Sequence, residues 1–167
     1  MTVVGSLRTA DGKAVVRMED QFDTDIDDLW SAVTDPTRLA RWIAEVDGDL
    51  RPGGAFHATF TSGWDGPGRV DRCEPPSRLL LTMRPGHAES TIIEARLFAE
   101  GPNSRLVVEE RGLPLDEAAA HGAGWQAHIE DLAAHLAGRP PADWHSRWTA
   151  LTPTYRDQAP TSRPYVR

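Results

Sequence analysis

Cysteine is all but missing from this 167-residue chain, where Cys73 stands alone. No intramolecular disulfide can form, so a secreted, disulfide-stapled scaffold is excluded and a cysteine-based zinc site is not expected; a reducing cytoplasm fits best. Long apolar runs are missing as well. No stretch approaches the roughly 18 uninterrupted apolar residues that span a bilayer, and the opening MTVVGSLRTADGKAVVRMED has no basic leader, so neither a membrane span nor a targeting segment is expected. Positive charge is scarce: 18 Lys+Arg face 25 Asp+Glu, for a net charge of -7. That balance speaks against nucleic-acid binding or a polybasic membrane surface and favours neutral or cationic partners. Nor does the chain contain G-x-S-x-G, a P-loop or G-x-G-x-x-G, so no nucleophile elbow, phosphate loop or cofactor is expected. Tryptophan, by contrast, is plentiful, with six Trp against four Phe and two Tyr. The length suits one well-filled domain.

Residues 1–12 show little periodicity and read as a flexible lead-in. From Ala14 the alternation of Ala14, Val16, Met18 and Phe22 against Arg17, Glu19 and Gln21 marks a half-buried strand. Thr24 or Asp25 can then cap a helix with Ile26, Leu29, Trp30 and Val33 on one face, and Asp35-Pro36 starts a second short helix. Next come six strand-length segments, separated by turn residues such as Pro52-Gly53-Gly54, Pro75-Pro76, Pro85-Gly86 and Gly101-Pro102-Asn103, as in an antiparallel meander. After Pro114 the pattern turns helical. Trp125, Ile129, Leu132 and Leu136 share a face, and Gly138 is the expected stop. Gly122 and Gly124 weaken that helix by about 1 kcal/mol each unless a close backbone approach requires them, or the regular helix begins near Trp125. The expected fold is α+β: a seven-stranded antiparallel sheet curled around one long helix, with a concave apolar gap between them.

These residues carry a resemblance. The runs DLWSAVTDPTRLARW, DLRPGGAF, GRVDRCEPPSRLLLT and GAGWQAHIEDL resemble the SRPBCC, or START-like helix-grip, superfamily, and within it the branch of activators of heat-shock-protein ATPase homologues. The resemblance covers Ala14 to Gly138. It implies a helix-grip domain over 13–138 with a hydrophobic cavity between sheet and C-terminal helix, shared with lipid-transfer and aromatase/cyclase relatives. It implies no single activity.

The leading expectation is a module that binds a small hydrophobic or amphipathic molecule, with Trp42, Phe56, Phe60, Trp125, His128 and Ile129 lining its pocket and no catalytic residue. One alternative is an aromatase/cyclase-type enzyme using His57, Glu94 or Arg96 to move protons. The periodicity leaves open which strand face carries His57, Glu94, Arg96 and Glu109; a solvated outer face with cross-strand ion pairs is the expected one. Cys73 reads as a packed small hydrophobe. His121, His128 and His135 recur every seven residues, but about 10.5 Å of helix rise separates successive members, so no metal is expected. Trp64 is expected at the pocket rim. In the tail, 139–155, Asp143 can cap a short helix carrying Trp144, Trp148 and Leu151 and ended by Pro153. That helix is expected to dock on its own domain or on a second copy, the latter giving a homodimer or a protein-interaction, co-chaperone-like module. Residues 156–167 are expected to be disordered.

Overall fold

The computed structural model describes residues 3–159. Among these residues eight strands form one antiparallel sheet in the order β1-β2-β8-β7-β6-β5-β4-β3: β1 (Gly5–Ala10), β2 (Lys13–Phe22), β3 (Ala44–Gly48), β4 (Ala55–Phe60), β5 (Asp65–Glu74), β6 (Arg78–Met83), β7 (Thr91–Glu100) and β8 (Asn103–Leu113). Consecutive strands are neighbours from β3 to β8, as the turn residues require. The long-range step returns β8 to β2, where Arg17 pairs with Glu109 and Met18 with Val108.

Seven strands were expected, and the eighth is β1, within the segment read as a lead-in. Its hydrogen-bonding edge along β2 pairs Leu7 with Val16 and Thr9 with Ala14 across a turn in which Asp11 and Gly12 take positive φ. β1 is mostly exposed and so lacks the apolar alternation by which a strand is recognised.

The two short helices follow β2. Asp25 caps α1 (Ile26–Thr34) through the Asp28 amide, and Asp35 caps α2 (Pro36–Leu39) through the Thr37 amide, with Pro36 in the first turn. The long helix α3 (Ala118–Leu136) follows a single 3-10 turn at Leu115–Glu117, and Gly138 at φ 73° ends it with its amide on the His135 carbonyl. α3 lies against β2 and β1 and does not rest on β4–β6 to a comparable extent. The far half of the sheet is therefore left with a gap beneath the helix. Among the described residues no helix is long and apolar enough to cross a membrane.

The tail corrects two expectations. α4 runs Trp144–Gln158, so Pro153 does not end it and 156–158 are helical; residues 160–167 lie outside the described part. An interior proline costs about 3 kcal/mol. On either side of it, however, Leu151 and Tyr155 are fully buried, and burying each contributes about 1.5–3 kcal/mol, enough to carry the helix through. α4 docks on its own chain, against α3. The Tyr155 hydroxyl donates to Gln126 Oε1 at 2.5 Å, Arg147 holds Glu130 through two nitrogens at 2.7 and 3.0 Å, and Trp148 Nε1 donates to the Ala120 carbonyl at 3.0 Å. This contact explains the two helical glycines. A Cβ on Gly122 would stand 2.6 Å from Tyr155 Cδ1, and one on Gly124 would stand 3.2 Å from Trp144 Cζ2. With the sheet on one side and α4 on the other, α3 is buried nearly all round from Gly122 to Ile129.

Candidate functional site

The gap holds two recesses that share Phe60, Met83, Ile93 and Trp125 as a common wall. The inner one, about 130 Å³, is almost wholly apolar, with Trp42, Phe56, Ala58, Val70, Leu81 and Leu106 among its lining. The outer one, about 490 Å³, opens between the β4–β5 and β6–β7 turns, the start of α3 and the first turns of α4.

Strand alternation decides which polar groups reach these recesses. On β8, Leu106, Val108 and Glu110 share the inward face, and on β7, Thr91, Ile93, Ala95 and Leu97 do. Glu110 is thus a carboxylate on the wall of an apolar recess, paired in register with Ile93. Its Oε1 accepts from Trp125 Nε1 at 2.9 Å and its Oε2 from Thr91 Oγ1 at 2.8 Å. His121, one turn before Trp125, sets its Nδ1 3.5 Å from the same Oε1 and its Nε2 3.5 Å from Glu117. Burial would raise the Glu110 pKa, but the hydrogen bond and charge of His121, with the Trp125 and Thr91 donors, hold it below the usual carboxylate range. Burial likewise works to lower the His121 pKa; the two glutamates outweigh it and raise it. The pair is a carboxylate beside a readily protonated imidazole, both facing the outer recess.

His128 has the opposite character. It is 5% exposed, ringed by Phe60, Trp125 and Trp144 with centroids at 6.0, 6.0 and 5.4 Å. Burial pushes its pKa down to about 4, against the pull of Glu110 and a hydrogen bond with the Trp42 backbone.

Trp42, Phe56, Phe60, Trp125 and His128 all line one or both recesses. Ile129 is 2% exposed and belongs to the packed core, outside both linings. Trp64 stands at the outer mouth, edge-on to Phe60 at 5.4 Å and under the Arg84 guanidinium at 5.1 Å.

The residues named for proton transfer lie elsewhere. His57 is on the outer face of β4, 2.9 Å from Asp65 and about half exposed. Glu94 is covered on the outer face of the sheet by Arg78, Arg111 and Arg96 at 2.8, 3.0 and 3.3 Å. Burial there would raise its pKa, and the arginines keep it low. Glu109 shares that outer face with Arg8, Arg17 and Arg111. What sequence reasoning missed is Glu110, Thr91 and the role of His121. The alternation of Leu106 and Val108 continues inward to Glu110, which was the available signal. The three helix histidines separate: His121 meets Glu110, His128 is buried, and His135 accepts from Arg38 Nε at 3.1 Å. Among the described residues no group of three or more His, Cys, Asp or Glu is placed to hold a metal ion.

The family model described as Activator of Hsp90 ATPase homolog 1-like protein matches residues 23–137. Among solved structures, the crystal structure of CalU16 from Micromonospora echinospora superposes with a TM-score of 0.76 at 27% identity, over 92% of this chain and 94% of that one. DynU16, a protein of the dynemicin biosynthetic locus, gives 0.70 at 29% identity over 80% of this chain and 51% of its own, so this chain spans about half of it. A protein from Bordetella parapertussis, at 23% identity and a TM-score of 0.70 over 99% and 97% of the two chains, has the same fold. Comparison with curated proteins gives no match.

Proposed function

The chain belongs to the Activator of Hsp90 ATPase homolog 1-like family, an SRPBCC helix-grip family, and on that premise we propose that it is a cytoplasmic binding module for a small amphipathic molecule. The observation that carries this reading is the union of an apolar inner recess with an outer one whose wall holds Glu110, His121 and Thr91. An apolar body sits under α3 against Trp42, Phe56 and Phe60, and a polar end meets the Glu110–His121 pair. Desolvation of the body drives binding and the few polar groups orient the ligand. Likeness to a protein of the dynemicin biosynthetic locus supports a biosynthetic small molecule as the ligand class.

Native mass spectrometry of the protein purified from its own cells tests this. A discrete added mass is expected, and Ala58→Leu, which fills the inner recess, abolishes it. A bare polypeptide mass for the parent protein, or an adduct indifferent to Ala58→Leu, overturns the reading.

A second reading, an aromatase/cyclase-type enzyme, is favoured by one observation: the carboxylate–imidazole pair Glu110–His121 faces the recess. Protonated His121 can donate to a ligand carbonyl while Glu110 holds its charge. If this is so, His121→Gln lowers turnover far more than it lowers ligand affinity; equal losses in both would leave only binding.

A further inference from the structure

α4 lies beyond the stretch that matches the family, residues 23–137, yet it forms part of the outer recess. It brings Trp144, His145 and Trp148 to the mouth. Trp144 and Trp148 stack at 6.2 Å and 15°, and His145 stacks on Trp148 at 5.7 Å. Across the opening stand Phe60 and Trp64. Ring faces on both sides favour a flat aromatic guest, since offset and edge-on ring contacts add to simple burial.

Inside this assembly two buried polar atoms have no partner among the described residues, His128 Nδ1 and Trp144 Nε1. Their rings are neighbours, 5.4 Å apart, and both line the same recess. Trp144 Nε1 is a donor only. His128 is uncharged at neutral pH, and the Trp42 backbone engages its ring, so the open Nδ1 presents a lone pair. A buried donor beside a buried acceptor, each unmet, is a costly arrangement for a protein to keep. One group satisfies both at once: a hydroxyl, which donates one hydrogen bond and accepts another.

Resting on the reading that the recess binds a small molecule, we propose that α4 completes a subsite for a planar aromatic ring bearing a hydroxyl. The ring packs among Trp144, Trp148, Phe60 and Trp64, and the hydroxyl donates to His128 Nδ1 and accepts from Trp144 Nε1. Both atoms are covered in this structure, so the Trp144 ring turns aside as the hydroxyl enters. The segment 139–143 leading into α4 is exposed and carries Pro140 and Pro141. It is tied down by the Ala142 amide on Asp131 at 3.0 Å.

Equilibrium dialysis of the full chain with 1-naphthol, naphthalene and 1-decanol tests the subsite. 1-Naphthol is expected to bind about tenfold more tightly than naphthalene, the scale of two added hydrogen bonds. Trp144→Phe removes the N–H together with part of the ring that packs on the guest; it is expected to weaken both aromatics, and 1-naphthol about fivefold more than naphthalene, whose remaining binding reports that the variant is folded. Equal affinity for the two aromatics, or an equal loss of both in Trp144→Phe, overturns the subsite. Binding of 1-decanol with neither aromatic overturns it while sparing the binding reading. If none of the three probes binds, the subsite is overturned, and the binding reading is decided by the native mass measurement alone.

Discussion

The indole N–H of Trp125, on α3, donates to the carboxylate of Glu110, on β8, across 2.9 Å at the wall between the two recesses. The same two residues join the long helix to the sheet where the helix otherwise lifts away from it. Hydrogen bonds to a buried charge are worth more than neutral ones, because the group left unmet bears the larger desolvation cost.

Replacing Trp125 with Phe keeps most of the ring and removes that donor. Stability is expected to fall by about 2 kcal/mol, read as a lower urea midpoint at unchanged slope. A change within a few tenths of a kcal/mol would mean that Thr91 and His121 hold Glu110 without the indole.

Glu110 and Glu94 sit on neighbouring strands, both buried and both with cationic neighbours, but on opposite faces of the sheet. Glu110→Gln is expected to change the affinity of any recess ligand severalfold, whereas Glu94→Gln, walled off beneath Arg78 and Arg111, is expected to leave it unchanged. Titration of both variants with one ligand checks this. Equal effects would mean that the sheet, and not the recess, transmits the change.

His128 makes stability depend on pH. Its pKa falls from 6.5 to about 4 on folding, so between those values the unfolded chain takes up a proton that the folded chain refuses. The contribution is complete above pH 6.5 and is lost as pH falls toward 4, by up to about 3 kcal/mol at 1.36 kcal/mol per unit. His121 acts with the opposite sign: its raised pKa gives stability that is present below its ordinary value and lost as pH rises through the folded one. Comparing the parent protein with His128→Leu cancels His121. The variant is expected to gain about 2–3 kcal/mol relative to the parent between pH 7.5 and 4.5, measured by urea unfolding. A constant difference would show that His128 takes up its proton as readily in the fold as in the unfolded chain.

Gly122→Ala sets helix propensity against packing. Propensity alone favours Ala by about 1 kcal/mol, but the new Cβ would lie 2.6 Å from Tyr155 Cδ1 and 3.1 Å from Leu7 Cδ2. Overpacking costs of about 1–3 kcal/mol are expected to win. The variant should melt lower and be cut more readily by protease within α4; a higher melting temperature would mean that α4 yields without loss.

Much of this architecture was legible along the chain because its signals are local. Asp25 and Asp35 cap the helices they precede, Asp143 caps α4, and Gly138 takes the positive φ that ends α3. Punctuation by Pro and Gly separated β3 to β8, and alternation set Phe56 and Ala58 on one face of β4 and His57 on the other, while the fold decided that the first face is the inner one. β1 escaped notice because a strand at the sheet edge, exposed on most positions, is held by the backbone bonds of β2 and not by an apolar face of its own.

The sequence by itself determined which residues share a face, where helices begin and end, and that one antiparallel sheet would be paired with one long helix. Only the tertiary structure decided what covers each face. Glu94 and Glu110 are both glutamates in apolar strands, and the difference between an arginine-covered outer surface and the wall of a recess comes from side chains far away in the chain. Likewise Pro153 should stop a helix on local grounds, and α4 runs through it because Tyr155 finds Gln126 and Met18 waiting in the core. Periodicity reports geometry along one segment; burial, and with it charge state and chemistry, is set by the partner that the fold brings across.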